Sequence, residues 1–87
     1  MEIKWSRNFE KSLKKLHKNT QQKVKDKLKL LLKNKNHPSL RYKKVQALKR
    51  ENPPVFEISI DKSIRITLQE FYDHIYLRNI GGHNILP

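Results

Sequence analysis

The sequence has no cysteine, few acidic residues and no long apolar run. Without cysteine, disulfide staples and thiolate-metal centres are excluded, and a chain of 87 residues has to hold itself together with one ordinary hydrophobic core. The most apolar stretch, Leu28 to Leu32, is interrupted by Lys29, and no charged-then-apolar leader opens the chain. Membrane insertion and secretion are therefore not expected, and the cytoplasm is the expected location. The four histidines are widely separated, a poor spacing for a metal, so neither a metal nor another cofactor is expected. Repeats and low-complexity linkers are also missing, which leaves a single domain over residues 1–87.

The shortage of acid is the most informative of these absences. Twenty Lys+Arg face eight Asp+Glu, a formal net charge of +12. Residues 1–50 hold 17 basic against 3 acidic side chains, a balance of +14, and residues 51–87 hold 3 against 5, a balance of −2. A field that strong disfavours self-association, so a monomer is expected, and it attracts polyanions: nucleic acid, an anionic lipid surface or an acidic protein.

Hydrophobic spacing divides the chain the same way. Ile3 and Trp5 alternate with Glu2 and Lys4, the period of a half-buried strand. Ser6 can cap a helix over Arg7 to His17, with Phe9, Leu13 and Leu16 on one face. Asn19 or Thr20 can cap a second helix, with Val24, Leu28, Leu31 and Leu32 as its stripe, ending near Asn34 ahead of His37-Pro38. Three alternating segments come next, around Phe56/Ile58/Ile60, Ile64/Ile66/Leu68 and Ile75/Leu77, joined by connections short enough for hairpins. The pattern predicts a two-layer α+β domain, β-α-α-β-β-β, with a helical hairpin packed on a mainly antiparallel four-stranded sheet. It also predicts an open second sheet face presenting Glu57, Ser59, Arg65, Thr67, Gln69, His74, Tyr76 and Arg78. Between helices and meander runs a basic segment with Arg41, Lys43, Lys44, Lys49 and Arg50, closed by Pro53-Pro54, which exclude a central strand there.

In order and length the chain resembles the RelE/ParE superfamily of bacterial type II toxins. The resemblance lies in Ile3-Lys4-Trp5-Ser6-Arg7-Asn8-Phe9 with Lys14-Lys15-Leu16, in His37-Pro38-Ser39-Leu40-Arg41 with Lys44-Val45, and in Phe56-Glu57-Ile58 and Ile64-Arg65-Ile66. It closes with Ile75-Tyr76-Leu77-Arg78-Asn79-Ile80-Gly81-Gly82-His83-Asn84. The resemblance implies a RelE-like fold and a ribosome-dependent, metal-independent mRNA endonuclease working on its concave sheet face. Its implied partners are the ribosome with its rRNA, the A-site mRNA and a cognate acidic antitoxin.

Metal-free RNA cleavage needs a base for the attacking 2′-hydroxyl, an acid for the departing 5′-oxygen and cations for the charge that builds on phosphorus. Arg65 matches the superfamily's strand arginine, and its fixed guanidinium fork suits a phosphate. His83 matches the histidine after the terminal glycine turn, and an ordinary imidazole pKa near 6.5 fits acid/base work. Glu57 can act as a base or orient Arg65; Arg78 can hold a phosphate or pair with Glu57 or Glu70. Tyr76 can stack on a base or pack across strands. Arg41, Lys43, Lys44, Lys49 and Arg50 can grip RNA, or be a solvated basic tract. Where endonuclease members carry an aromatic residue after the terminal histidine, this chain runs Asn84-Ile85-Leu86-Pro87. His37 can serve as a second active-site histidine or cap the end of the preceding helix, as His17 can cap the first. Two other readings stand beside the nuclease: a ParE-like inhibitor of DNA gyrase on the same fold, and a basic RNA- or DNA-binding module without catalysis.

Overall fold

A computed structural model of the chain describes residues 1–82. Strand β1 (Glu2–Trp5) leads into helices α1 (Arg7–Lys14) and α2 (Lys18–Lys33), and the chain continues through strands β2 (Lys43–Lys44), β3 (Val55–Ser59), β4 (Arg65–Glu70) and β5 (His74–Gly81). They form one sheet in the order β1-β5-β4-β3-β2, with β1 parallel to β5 and the other three pairings antiparallel. The helix-on-sheet α+β architecture agrees with the sequence pattern. The sheet has five strands instead of four, because Lys43 and Lys44 of the basic connector pair with Glu57 and Phe56 and add an edge. Two lysines carry no hydrophobic alternation, so nothing in the pattern marks them as a strand.

Local chemistry sets the helix ends. Ser6 caps α1, its Oγ accepting the Phe9 N–H at 2.9 Å, and the same hydroxyl donates to the Arg78 carbonyl at 2.6 Å. One side chain thereby starts the helix and ties it to β5. Helix α1 stops at Lys14, short of the expected His17, because His17 is extended and belongs to the next helix. Its Nδ1 accepts the Asn19 N–H at 3.1 Å, so the N-cap of α2 is His17 and not Asn19 or Thr20. Gln21 closes the break from the other side by donating to the Leu16 carbonyl at 2.9 Å. His37 likewise caps the start of an element and not the end of one: its Nδ1 accepts the Ser39 N–H at the head of a short 3-10 turn, Pro38–Leu40.

The core lies between the helices and one sheet face. Phe9 from α1 and Val24 and Leu31 from α2 pack with Ile58, Ile66, Leu68, Ile75, Leu77 and Ile80. Burial of such side chains is worth roughly 1.5–3 kcal/mol each, and eleven buried residues form the cluster. Trp5, expected to be half-buried, is 53% exposed because it sits at the end of an edge strand.

A bulge changes which β5 residues face the core. Leu68 pairs with Leu77 while Thr67 pairs with Asn79, leaving Arg78 as the extra residue. The inward series on β5 is therefore Ile75, Leu77 and Ile80, and Asn79 rejoins the opposite face. Among the described residues no helix is long and apolar enough to cross a membrane.

Candidate functional site

The second sheet face carries three cross-strand rows of side chains, about 7 Å apart because each step is two residues of strand rise. The middle row is Lys43, Glu57, Thr67 and Asn79; one flank is Val55, Gln69 and Tyr76, the other Ser59, Arg65 and Gly81. The face is less open than the alternation predicts. Val45 and Val55 are buried on it or beside it, and Glu57, Ser59, Thr67 and Gln69 are at most 9% exposed. Part of the cover comes from the connector, since the Val45 N–H donates to the Val55 carbonyl and the Gln69 Nε2 donates to the Pro53 carbonyl at 2.7 Å.

Glu57 is the centre of this face. One carboxylate oxygen, Oε1, lies 3.2 Å from Lys43 Nζ, while Oε2 is buried and has no hydrogen-bond partner among the described residues. Directly across the ladder, the Thr67 hydroxyl is also buried and unpartnered. Two buried polar groups left without partners beside one another are costly in a fold, at roughly 1–3 kcal/mol each. Lys43 itself is well exposed, so the pair has one wet end and one dry end.

The two strand arginines are held separately. Arg65 donates through one guanidinium nitrogen to the carbonyls of Asp61 (2.7 Å) and Ile64 (3.3 Å), which leaves its other N–H groups for an incoming anion. Arg78, from the bulge, donates to Gln69 Oε1 at 3.3 Å and lies 3.7 Å from Glu51. Neither guanidinium pairs with Glu57. The expected alternatives for Arg78, pairing with Glu57 or Glu70, are thus corrected: Glu57 is taken by Lys43 and Glu70 by Lys35. Likewise Glu57 does not orient Arg65, which the hairpin carbonyls do. Arg78, Gln69, Tyr76 and Asn79 line a shallow depression with Ser6 and Asn8, and Tyr76 is half-buried between Gln69 on β4 and Lys4 on β1.

The basic connector is not one surface. Lys43 reaches the Glu57 row, but Lys44 is opposite Phe56 and so projects from the other side of the sheet. Lys49 and Arg50 are exposed beyond a second 3-10 turn, Gln46–Leu48, and Arg41 is exposed at the turn ending in Leu40. His83, the expected acid, lies outside the described residues. His74 is not freely solvated: its ring stacks on Phe71 with centroids 4.8 Å apart and Nδ1 is 2.7 Å from Asp73 Oδ1. Behind the face, burial and the neighbouring Glu70 push the Tyr42 phenol well above its ordinary pKa, while its ring stacks on Phe56. Alternation places Thr67 and Gln69 on the face but suggests no role for them; the signal for one is a polar residue at a repeating position of an otherwise apolar strand.

No family model matches the chain, and no curated protein matches it significantly in sequence. Solved structures do match in three dimensions. The Escherichia coli DinJ–YafQ toxin–antitoxin complex aligns with TM-score 0.76 at 16% identity, covering 98% of this chain and 94% of the other. The YoeB dimer from Staphylococcus aureus aligns with TM-score 0.73 at 18% identity, covering 95% and 97%. A YoeB/ParE toxin from Agrobacterium tumefaciens aligns with TM-score 0.75 at 8% identity, covering 95% and 99%. The fold is therefore that of RelE-like toxins, as the resemblance implied. Among them it is shared with YafQ and YoeB over nearly the whole chain.

Proposed function

We propose that this chain is the toxin of a type II toxin–antitoxin pair and that it cuts mRNA in the ribosomal decoding site. The observation that carries the reading is a carboxylate on the helix-free face of the sheet, paired at one oxygen with Lys43, with Arg65 in the row on one side and Arg78 bonded to Gln69 of the row on the other, in a fold shared with toxins. Glu57 takes the 2′-hydroxyl proton at the edge of its carboxylate that meets the exposed Lys43. The 2′-oxygen bonds to phosphorus as the bond to the 5′-oxygen breaks, leaving a 2′,3′-cyclic phosphate and a 5′-hydroxyl. Arg65 and Arg78 offset the negative charge that develops on the phosphoryl oxygens, and each is tethered at one nitrogen, so part of its orientation is fixed before substrate arrives. His83 supplies the proton to the departing oxygen. No step is routed through a metal ion.

Most basic side chains of the helices serve docking on rRNA, and Arg41, Lys43, Lys49, Arg50 and Tyr76 contact the message. An acidic antitoxin encoded alongside holds the toxin silent in the cytoplasm; the antitoxin-bound state of YafQ supports such a partner. The test is cleavage of mRNA on programmed ribosomes by purified protein, with ends mapped by primer extension. Replacing the base in Glu57→Gln lowers the rate by about 10²–10⁴, and Arg65→Ala, Arg78→Ala and His83→Ala are each impaired while remaining folded. Full cleavage by both Glu57→Gln and Arg65→Ala refutes the assignment. A gyrase-directed activity is the second reading, supported by the likeness to the YoeB/ParE toxin. It predicts that expression damages DNA before translation stops.

A further inference from the structure

A cleft of about 380 Å³ lies at the end of the sheet, between α2, the Arg41 corner and the β3–β4 hairpin. Its size suits a nucleotide-sized group. Lys27 from α2, Arg41, Lys62 from the hairpin turn and Arg65 from β4 all line it, so four cations converge from four separate parts of the chain. One carboxylate, Asp61, is present, and its Oδ1 is already engaged by the Ser63 and Ile64 N–H groups at 2.8 and 2.9 Å. Among the described residues neither Arg41 nor Lys62 has a salt-bridge partner, and Lys27 makes only a 3.4 Å contact to the Ser39 carbonyl. Arg41 is held there in a left-handed conformation, φ 49° and ψ 46°, the one positive φ at a non-glycine residue among those described. Such a conformation is unfavourable for a residue with a Cβ and tends to persist where a side chain has to be aimed.

We infer that this cleft is a second RNA-backbone site, in which Lys27, Arg41 and Lys62 hold the phosphate next to the one being cut. The inference rests on the endonuclease reading and adds to it the path of the strand. Ser59 and Arg65 belong to both surfaces: they form the row adjacent to Glu57 and Thr67 on the sheet face, and they line the cleft. The offset between those rows, about 7 Å, is close to one nucleotide of extended strand. A single-stranded message crossing the face at Glu57 therefore brings its neighbouring phosphate over the cleft mouth. Arginine forks and lysines with serine hydroxyls, and a lone carboxylate turned to backbone, suit a phosphodiester better than a protein side chain.

The experiment compares wild type with the double variant Lys27→Gln/Lys62→Gln on programmed ribosomes in single-turnover cleavage at several salt concentrations. The variant's half-saturating concentration rises about tenfold and the slope of its logarithm against log salt shrinks by about 0.7, the value for one phosphate of a single strand. The saturating rate is unchanged. Message carrying a neutral methylphosphonate linkage on the one side of the cut that reaches the cleft weakens wild type, and weakens the double variant, which keeps Arg41, clearly less. Unchanged half-saturation and slope in a folded variant overturn the inference. So does a methylphosphonate effect that simply adds to that of the variant, which would assign the cleft to rRNA or an acidic protein. Absence of cleavage by wild type is instead a failure of the endonuclease reading. In that case the same comparison is read by fluorescence anisotropy with RNA made uncleavable by a 2′-deoxy residue, and loss of the salt-slope difference there overturns the cleft on its own.

Discussion

Thr67→Val makes the protein more stable, and the expected size comes from the environment of one hydroxyl. Thr67 is 2% exposed, in the middle of β4, and its Oγ1 has no hydrogen-bond partner among the described residues. Burying an unpartnered hydroxyl costs about 1–3 kcal/mol. Valine has nearly the same shape, the same branching at Cβ and an equal preference for strands, so the substitution removes that cost without opening a cavity. Allowing for a water that could solvate part of the group, a gain of about 1 kcal/mol is expected, equivalent to roughly 4–8 °C in Tm for a domain of this size. Urea denaturation and thermal melting monitored by circular dichroism measure it. The same variant, assayed for ribosome-bound mRNA cleavage, loses activity if Thr67 helps to hold substrate opposite Glu57, so stability and activity move in opposite directions. A lower Tm with activity intact refutes the reasoning, because it would mean that the hydroxyl has a structural partner and that the Glu57–Thr67 pair is an ordinary part of the sheet.

Three other perturbations test the frame that holds this face. Leu68→Ala empties a fully buried position between β4 and both helices and costs about 2–5 kcal/mol; chemical denaturation reads it, and a loss below about 1 kcal/mol contradicts the assigned core. Ser6→Ala removes both the cap of α1 and the bond to the Arg78 carbonyl, costing about 1–2 kcal/mol in the same assay. Asp61 has its pKa lowered, chiefly by the Ser63 and Ile64 N–H groups, so its ionised form favours the folded state. The stability difference between wild type and Asp61→Asn is therefore full above the ordinary carboxylate pKa of 3.8 and fades as pH falls through the lower folded value. Denaturation at neutral pH and again well below the carboxylate range tests that sign.

The sheet is legible in the sequence where burial and period agree. Ile58, Ile66, Leu68 and Leu77 mark three strands and their inward side, and all are fully buried against the helices. The edge strand Lys43–Lys44 is not legible, because backbone pairing recruits residues whose side chains prefer water. The end of the first helix falls three residues earlier than the apolar spacing suggests, since a histidine ring nitrogen takes the capping role that the sequence offers to Asn19 or Thr20. For the site, residue types can be read but not their grouping. Arg65, Glu57 and Arg78 are recognisable candidates, yet which cation meets Glu57 depends on an edge strand and a bulge that only the assembled sheet reveals.

The parallel pairing of β1 with β5 has a consequence for how the protein is made. Glu2 to Trp5 hydrogen-bond alongside His74 to Leu77, so the first strand synthesised has no partner until β5 has left the ribosome. Contacts that distant in sequence close late and slow folding. During synthesis, α1 and α2 can form with their apolar stripes uncovered, but the row containing Glu57 lacks its Asn79 end, and the bulge that aims Arg78 is missing, until β5 joins the sheet. On the toxin reading, a nascent chain is thus harmless to the ribosome that is translating it, and the antitoxin has the whole interval of synthesis in which to reach its partner.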